Sequence, residues 1–156
     1  MTTASNLLAD KLASEGERVL AYFRSLTAED WAKPVYSEGP GWKVRDIFEH
    51  LIISEETLTV LYERILREGR GVEEGFDRDQ FNDEHTGGLS SLSLGDLGTR
   101  YARTRAHTVD FTRPLTDEQL AIRARHPALG DATLEEMLKL MHVHHSMHMR
   151  DVKRSL

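Results

Sequence analysis

Apolar residues recur every three or four positions in several stretches of the chain. In the first stretch, from about Ala4 to Phe23, this spacing lines one face of a helix. A second helix begins near Trp42 and ends at Gly69 and Gly71, which suit a left-handed C-terminal cap followed by a turn. The pattern therefore predicts two amphipathic helices in the first half of the chain.

Capping residues mark where the other helices begin. The Ser-Leu-Gly-Asp box at Ser93 opens helix three, which should end at Pro114. The Thr-Leu-Glu-Glu box at Thr133 opens helix four, which continues toward the C-terminus. A third box at Thr27 opens one short turn. The sequence thus predicts four long helices in all.

The four helices predict an all-α fold, a four-helix bundle. No run of alternating β-branched residues is long enough to predict a sheet, and amphipathic helices bury their apolar faces most simply against one another. The stretch from Gly69 to about Ser93 has little periodicity and is long for a connection. We expect it to be a crossover that lets helices two and three run parallel, and we expect residues 1–156 to form one domain.

Composition excludes several classes of function. Acidic residues number 26 against 20 Lys and Arg, and the basic residues are scattered, which argues against a nucleic-acid partner. The chain has no cysteine, so any metal must be held by nitrogen and oxygen. Neither a leader segment nor a membrane-spanning stretch is predicted, so we expect a cytoplasmic protein with no membrane partner.

Four of the eight histidines, His142, His144, His145 and His148, fall within seven positions of helix four. His144 and His148 are four residues apart, so their side chains leave the same face of the helix on successive turns. His145, three residues before His148, is a rival for this pairing. His50 of helix two could supply a third imidazole, giving the open three-nitrogen arrangement that is typical of catalytic zinc sites.

Two segments of the chain resemble the DinB-like family. They are Gly39-Pro-Gly-Trp-Lys-Val-Arg-Asp-Ile-Phe-Glu-His50-Leu51 and, near the C-terminus, His144-His-Ser-Met-His148. The family includes the YfiT-like metal-dependent hydrolases and the mycothiol- and bacillithiol-dependent transferases and isomerases. The likeness extends over essentially the whole chain, including the crossover segment from Phe76 to Asn82.

The resemblance implies a four-helix bundle with a long crossover, often dimeric, that holds one metal ion on three histidines. The matching positions here are His50, His144 and His148, because His144 has the spacing of the family motif. His142 and His145 would then face solvent or a neighbour. Imidazole ligands suit several divalent ions, of which we expect zinc, with nickel or iron as alternatives.

Other residues near the predicted site have two interpretations each. Asp46 and Asp151 could accept the second ring N–H of a histidine, or could serve only as a helix-start charge and a surface ion-pair partner. Trp42 could shield the metal, but we favour a packing role. Asn82 and His85 on the crossover are candidates for substrate binding, although loop residues of this kind are often merely solvated.

We find no clear general base in the sequence. Glu55 and Glu56 are expected to face solvent, so a site of this kind fits activation of a thiol at least as well as hydrolysis. The predicted function is a metal-dependent enzyme that activates a low-molecular-weight thiol or a water for attack on a small electrophile, as a thiol transferase, isomerase or hydrolase. The alternative is a non-catalytic, dimeric, stress-associated bundle with a structural or inactive metal site.

Overall fold

The computed structural model describes residues 3–156 and confirms the predicted four-helix bundle. The long helices α1, α3, α5 and α7 correspond to the four predicted helices. The elements in chain order are α1 Thr3–Arg24, α2 Ala28–Trp31, α3 Val44–Glu68, α4 Arg78–His85, α5 Leu94–Thr112, α6 Asp117–Leu120, β1 Arg123–His126, β2 Gly130–Thr133 and α7 Leu134–Ser155.

The helix ends follow the predicted capping chemistry. The side chains of Thr27, Ser93 and Thr133 each accept a hydrogen bond from a backbone N–H in the first turn of α2, α5 and α7. At the other end of α3, Gly69 adopts φ 72°, the left-handed conformation that glycine takes without strain. Local sequence signals therefore set the boundaries of the long helices.

Helices α3 and α5 run parallel, as the long crossover predicted. Glu56 near the middle of α3 bonds Arg100 of α5, and Glu63, two turns later, bonds His107, which also lies later in α5. Helix α7 runs in the opposite direction to α3. His50 near the start of α3 lies against His144 in the middle of α7, whereas Tyr62 near the end of α3 bonds the backbone of Met137 near the start of α7.

The core consists of two apolar clusters, one at each end of the bundle. One is built around the aromatic side chains of Phe23, Trp31 and Phe48, and the other includes Leu12 and Leu138. A layer of buried polar residues on α3, α5 and α7 separates them. Among the described helices, none combines the length and the apolar character needed to cross a membrane.

The expectation that the chain has no sheet is wrong, because β1 and β2 form a short antiparallel hairpin. Each strand has only four residues, too few for an alternating pattern to be visible in the sequence. Tertiary contacts hold the hairpin instead. The crossover passes so close that a Cβ at Gly71 would lie 2.1 Å from the carbonyl oxygen of Arg125, and Val72 donates to that same oxygen.

The crossover between α3 and α5 contains a helix that the sequence did not predict. Helix α4 is capped by Asp77, which accepts from the backbone N–H of Gln80. None of its residues is buried, which explains the missing apolar periodicity. This exposed helix lies beside the end of the bundle where the histidines are found.

Candidate metal centre

The structure brings together the three histidines that the sequence analysis selected. The Nε2 atom of His144 lies 3.2 Å from Nε2 of His50 and 3.1 Å from Nε2 of His148, and one ligand atom from each ring lies within 4.8 Å of the others. Tetrahedral zinc with Zn–N bonds of 2.0–2.1 Å would separate two ligand nitrogens by about 3.3 Å. The two short distances therefore fit adjacent ligands on one ion.

Burial keeps these three imidazoles, hereafter the histidine trio, in the neutral form that a metal requires. Burial, together with the nearby His148 and Arg78, lowers the pKa of His50 to about 3. Burial and the neighbouring trio members lower the pKa of His144 to about 2. Burial also lowers the pKa of His148, partly offset by Asp151. Neutral rings present lone pairs instead of protons, as metal ligation demands.

A tyrosine that the sequence analysis did not select orients His148. The hydroxyl of Tyr36 donates to the Asp151 carboxylate at 2.6 Å, so its oxygen is free to accept from Nδ1–H of His148 at 2.9 Å. This assigns the single N–H proton of the neutral ring to Nδ1 and leaves the Nε2 lone pair facing the trio. Asp151 thus acts on the ligand through Tyr36.

Asp46, the other residue suggested as a partner of a histidine, instead stabilises the start of α3. Its carboxylate accepts from the backbone N–H of Lys43 at 2.9 Å and so closes the first turn of α3. Trp42 is buried and packs against His50 with ring centroids 4.7 Å apart. The tryptophan therefore supports the ring of a trio member as part of its packing role.

A cavity of about 320 Å³ lies above the trio. Three sources supply its walls: the trio, apolar side chains of the bundle, and the crossover segment that carries α4. Besides the trio, the wall includes Leu58, Phe76, Arg78, Asp79, Phe81, Asn82, Leu140, Met141 and Met147. We call it the main cavity.

The two substrate-binding candidates on the crossover differ in position. Asn82 lines the main cavity, as expected for a residue that could contact a substrate. His85 does not line it; its ring stacks on Phe81 at 3.9 Å and borders a much smaller cavity behind Trp42. Of the two residues, only Asn82 is placed to contact a ligand above the trio.

The expectation that His145 faces solvent or a neighbour is wrong, because this residue is almost fully buried in the bundle. Its Nδ1 accepts from the hydroxyl of Tyr101 at 2.8 Å and from the guanidinium of Arg105 at 3.1 Å. The proton therefore sits on Nε2, which lies 3.1 Å from Glu55 without reaching hydrogen-bond geometry. His145 points away from the trio and cannot replace His144 as a ligand.

Glu55 was also expected at the surface and is instead in the core. Its two carboxylate oxygens accept from Nε and a terminal nitrogen of Arg105 at 2.8 and 2.9 Å, and Thr108 donates a further bond. Glu56, its neighbour, is half-exposed and pairs with Arg100. One signal could have revealed Glu55: it continues the three- and four-residue spacing of the α3 core positions Leu51 and Leu58.

A second buried histidine, His126 at the end of β1, forms part of the cavity wall and carried no signal in the sequence. Its Nδ1 accepts from the backbone N–H groups of Ala128 and Leu129, and its Nε2 lies 3.1 Å from the hydroxyl of Tyr62. Burial, with a contribution from Arg78, lowers its pKa to about 4. This ring is fully engaged by its own neighbours and stands apart from the trio.

The fold and the trio define the class of structure: a four-helix bundle with three convergent histidines beside a cavity. The chain belongs to the family described as the mycothiol maleylpyruvate isomerase N-terminal domain, whose model matches residues 12–153. None of the curated proteins matches the chain in sequence.

Among solved structures, the chain is similar to YfiT from Bacillus subtilis, which is described as a probable metal-dependent hydrolase with an unusual four-helix bundle topology. The superposition has a TM-score of 0.74 and covers 94% of this chain and 84% of YfiT. Sequence identity is 21%, so the likeness shows the fold.

Proposed function

We propose that the protein is a metal-dependent enzyme in which His50, His144 and His148 hold one divalent ion, with zinc as the first choice. The reaction that we propose is activation of a low-molecular-weight thiol, or of a water, for attack on a small electrophile. The observation that carries this proposal is the convergence of three neutral imidazoles at the floor of the main cavity.

The ligand set supports a catalytic site over a structural one. Among residues 3–156, no fourth histidine or carboxylate joins the cluster, so the protein leaves at least one coordination position of a tetrahedral ion toward the cavity. A closed structural site would supply all four ligands. When bound, a divalent ion would act as a Lewis acid that favours the deprotonated form of a thiol or water.

The chain's own residues orient the ligands and limit access of water. The Tyr36–Asp151 pair fixes the tautomer of His148. Side chains of the bundle and of α4 give the cavity a mainly apolar wall, in which a small organic molecule would displace water. The site therefore combines a polar floor with an apolar body.

Two observations favour a thiol over water as the activated group. First, Glu55 is tied to Arg105 inside the bundle, and the one carboxylate on the cavity wall among the described residues, Asp79, lies on the exposed helix α4 outside the histidine cluster, so no carboxylate is held beside the trio as a base for water. Second, the family is named after a mycothiol maleylpyruvate isomerase. The description of YfiT as a probable hydrolase supports water as the second possibility.

Metal content tests the proposed site directly. Untagged protein, reconstituted with zinc and freed of excess metal, should carry about one ion per chain by mass spectrometry, and His50→Ala, His144→Ala and His148→Ala should each lose it. His107→Ala is the matched control, because His107 is exposed and pairs with Glu63. A metal-free wild type would refute the proposal and favour the non-catalytic bundle.

Cobalt substitution separates the thiol from the water reaction. Mycothiol added to the cobalt-loaded protein should change the absorption spectrum in the manner of sulfur joining the ion, whereas a hydrolase would show no change. His148→Ala provides the control for free cobalt binding the thiol in solution. An unchanged spectrum with intact metal content would remove the thiol and leave hydrolysis to be screened.

A further inference from the structure

The wall of the main cavity contains a cationic side chain that has no partner. Arg78, the first residue of α4, is exposed and lines the cavity, and no hydrogen bond or ion pair joins its side chain to any other residue among 3–156. Arg100 and Arg105, by contrast, each have a bidentate carboxylate partner. The guanidinium of Arg78 is therefore available to a ligand.

Arg78 is the one lysine or arginine on the cavity wall among the described residues, and Asp79 is the other charged residue of that wall. The rings of His50, His144 and His126 line the same cavity. The guanidinium of Arg78 is therefore the cationic side chain that an anion in this cavity would meet.

The rest of the wall suits the uncharged body of a small molecule. Leu58, Phe81, Leu140 and Met141 line the cavity, and the partly exposed Phe76 and Met147 extend this apolar lining to solvent. A ligand that fills the cavity would have an apolar middle and a negative end. A divalent ion on the trio would add to the positive charge that such an end meets.

We propose that Arg78 determines specificity by binding a carboxylate of the substrate or thiol cofactor, whose reactive end lies over the histidine trio. This inference rests on the proposed function for what lies at the trio, and it goes further by naming the ligand class: a small amphipathic anion. The arginine would recognise its carboxylate through paired N–H donors. The net charge of the chain, −6, disfavours anions elsewhere on the surface.

The first experiment measures binding of two thiols that differ only in charge to the zinc-loaded protein. The probes are 3-mercaptopropionate and 3-mercaptopropionamide, titrated calorimetrically. The carboxylate should bind roughly tenfold more tightly than the amide, and Arg78→Gln should remove this preference. Arg78→Lys should retain part of it, because it keeps the charge and loses the paired donors.

The matched control is Arg103→Gln, which removes an exposed arginine of α5 that borders a different surface cleft. It should leave both affinities unchanged. Every variant should still bind one zinc ion, which is measured before each titration. Equal binding of the two thiols by wild type, or a preference that survives Arg78→Gln, would overturn the inference.

The metal-free protein separates failure of this inference from failure of the proposed function. Here the probes are 4-phenylbutyrate and 4-phenylbutyramide, followed by NMR chemical shifts of the backbone. The carboxylate should again bind roughly tenfold more tightly, and only Arg78→Gln should abolish the difference. If the protein prefers the carboxylate but binds no zinc, the inference about Arg78 stands and the metal proposal is refuted. If the protein binds zinc but shows no preference for the carboxylate, the metal proposal stands and the inference about Arg78 is refuted.

Discussion

The neighbouring residues His144 and His145 belong to two sites that differ in what surrounds the imidazole nitrogens. His145 belongs to a buried polar cluster with Glu55 and Arg105, in which Nδ1 is satisfied by donors from the chain and the charges pair with each other. His144 turns toward the cavity, where its Nε2 lies beside the nitrogens of two other imidazoles. The buried cluster finds its charge partners within the chain, whereas the trio presents lone pairs to whatever occupies the cavity.

Burial of a histidine therefore does not identify its role. Both rings have a lowered pKa because burial disfavours the charged form. The partners separate them: hydroxyl and guanidinium donors satisfy the structural ring, and convergent acceptor nitrogens mark the candidate ligand. Four predictions test this contrast between the two sites.

The largest effect should follow from breaking the buried polar cluster. Glu55→Ala leaves the Arg105 guanidinium charged and unpaired in the core, so the free energy of unfolding should fall by about 3–5 kcal/mol, measured by urea denaturation. Glu56→Ala is the control, since its ion pair with Arg100 is half-exposed and should contribute about 1 kcal/mol or less. Equal losses in the two variants would contradict a structural role for the cluster.

The second prediction compares the two neighbouring histidines. Zinc at 100 times its dissociation constant should raise the free energy of unfolding of wild type by about 2.7 kcal/mol. His144→Ala should lose this gain, whereas His145→Gln should keep it and be less stable with or without zinc. The measurement is urea denaturation with and without the ion. If His145→Gln lost the stabilisation by zinc and His144→Ala kept it, the roles assigned to the two histidines would be reversed.

The third prediction is that the metal-free protein loses stability as the pH falls. In the metal-free protein, His50 and His144 stay neutral down to a pKa of about 3 and about 2, whereas in the unfolded chain they take up protons near pH 6.5. The unfolded state therefore binds more protons below pH 6.5, and stability should fall as the pH falls. Each ring contributes at most about 1.4 kcal/mol per pH unit, and less here because both are partly exposed to the cavity.

Urea denaturation between pH 7 and pH 5 measures this slope. The double variant His50→Ala/His144→Ala should show a shallower dependence than wild type. His107→Ala is the control for removing an exposed histidine that lies outside the cavity wall. A wild-type stability that does not change with pH in this range would show that the trio is not neutral in the folded protein.

The smallest effect should come from the hydroxyl that orients His148. Tyr36→Phe removes the acceptor of the Nδ1 proton, and zinc affinity should fall by roughly tenfold in a competition titration. Tyr22→Phe is the control, because Tyr22 lies in the bundle near Lys153 and outside the cavity wall. An unchanged affinity in Tyr36→Phe would mean that Asp151 and Tyr36 do not act on the ligand.

Much of the fold was predictable because its signals are local. The apolar spacing and the capping residues at Thr27, Ser93 and Thr133 predicted the bundle helices, and the structure confirms them. The hairpin and α4 were missed for the same reason. Four-residue strands and a helix without buried residues leave no periodic signal, and contacts with distant segments hold the hairpin.

The candidate site also contains residues that the sequence could identify and residues that it could not. The i, i+4 spacing on one helix pointed to His144 and His148, the place of His50 in helix two made it the third candidate, and the resemblance to the family favoured His144 over His145. Their convergence is confirmed as geometry, and their role as ligands stays a prediction. Tyr36 and Arg78 could not be selected, because each is brought to the site by a loop or an exposed helix far away in sequence. No local pattern encodes such a contact.

By itself, the sequence determined the long helices and their ends, the parallel arrangement that the crossover allows, and the histidine pair on one face of α7. Tertiary structure alone decided that His145 and Glu55 turn into the core with Arg105, and that Tyr36 reaches His148. The reason is the distance along the sequence over which each interaction acts. Helical spacing and caps act within a few residues, whereas the burial of a charge depends on whether a partner from another helix can meet it.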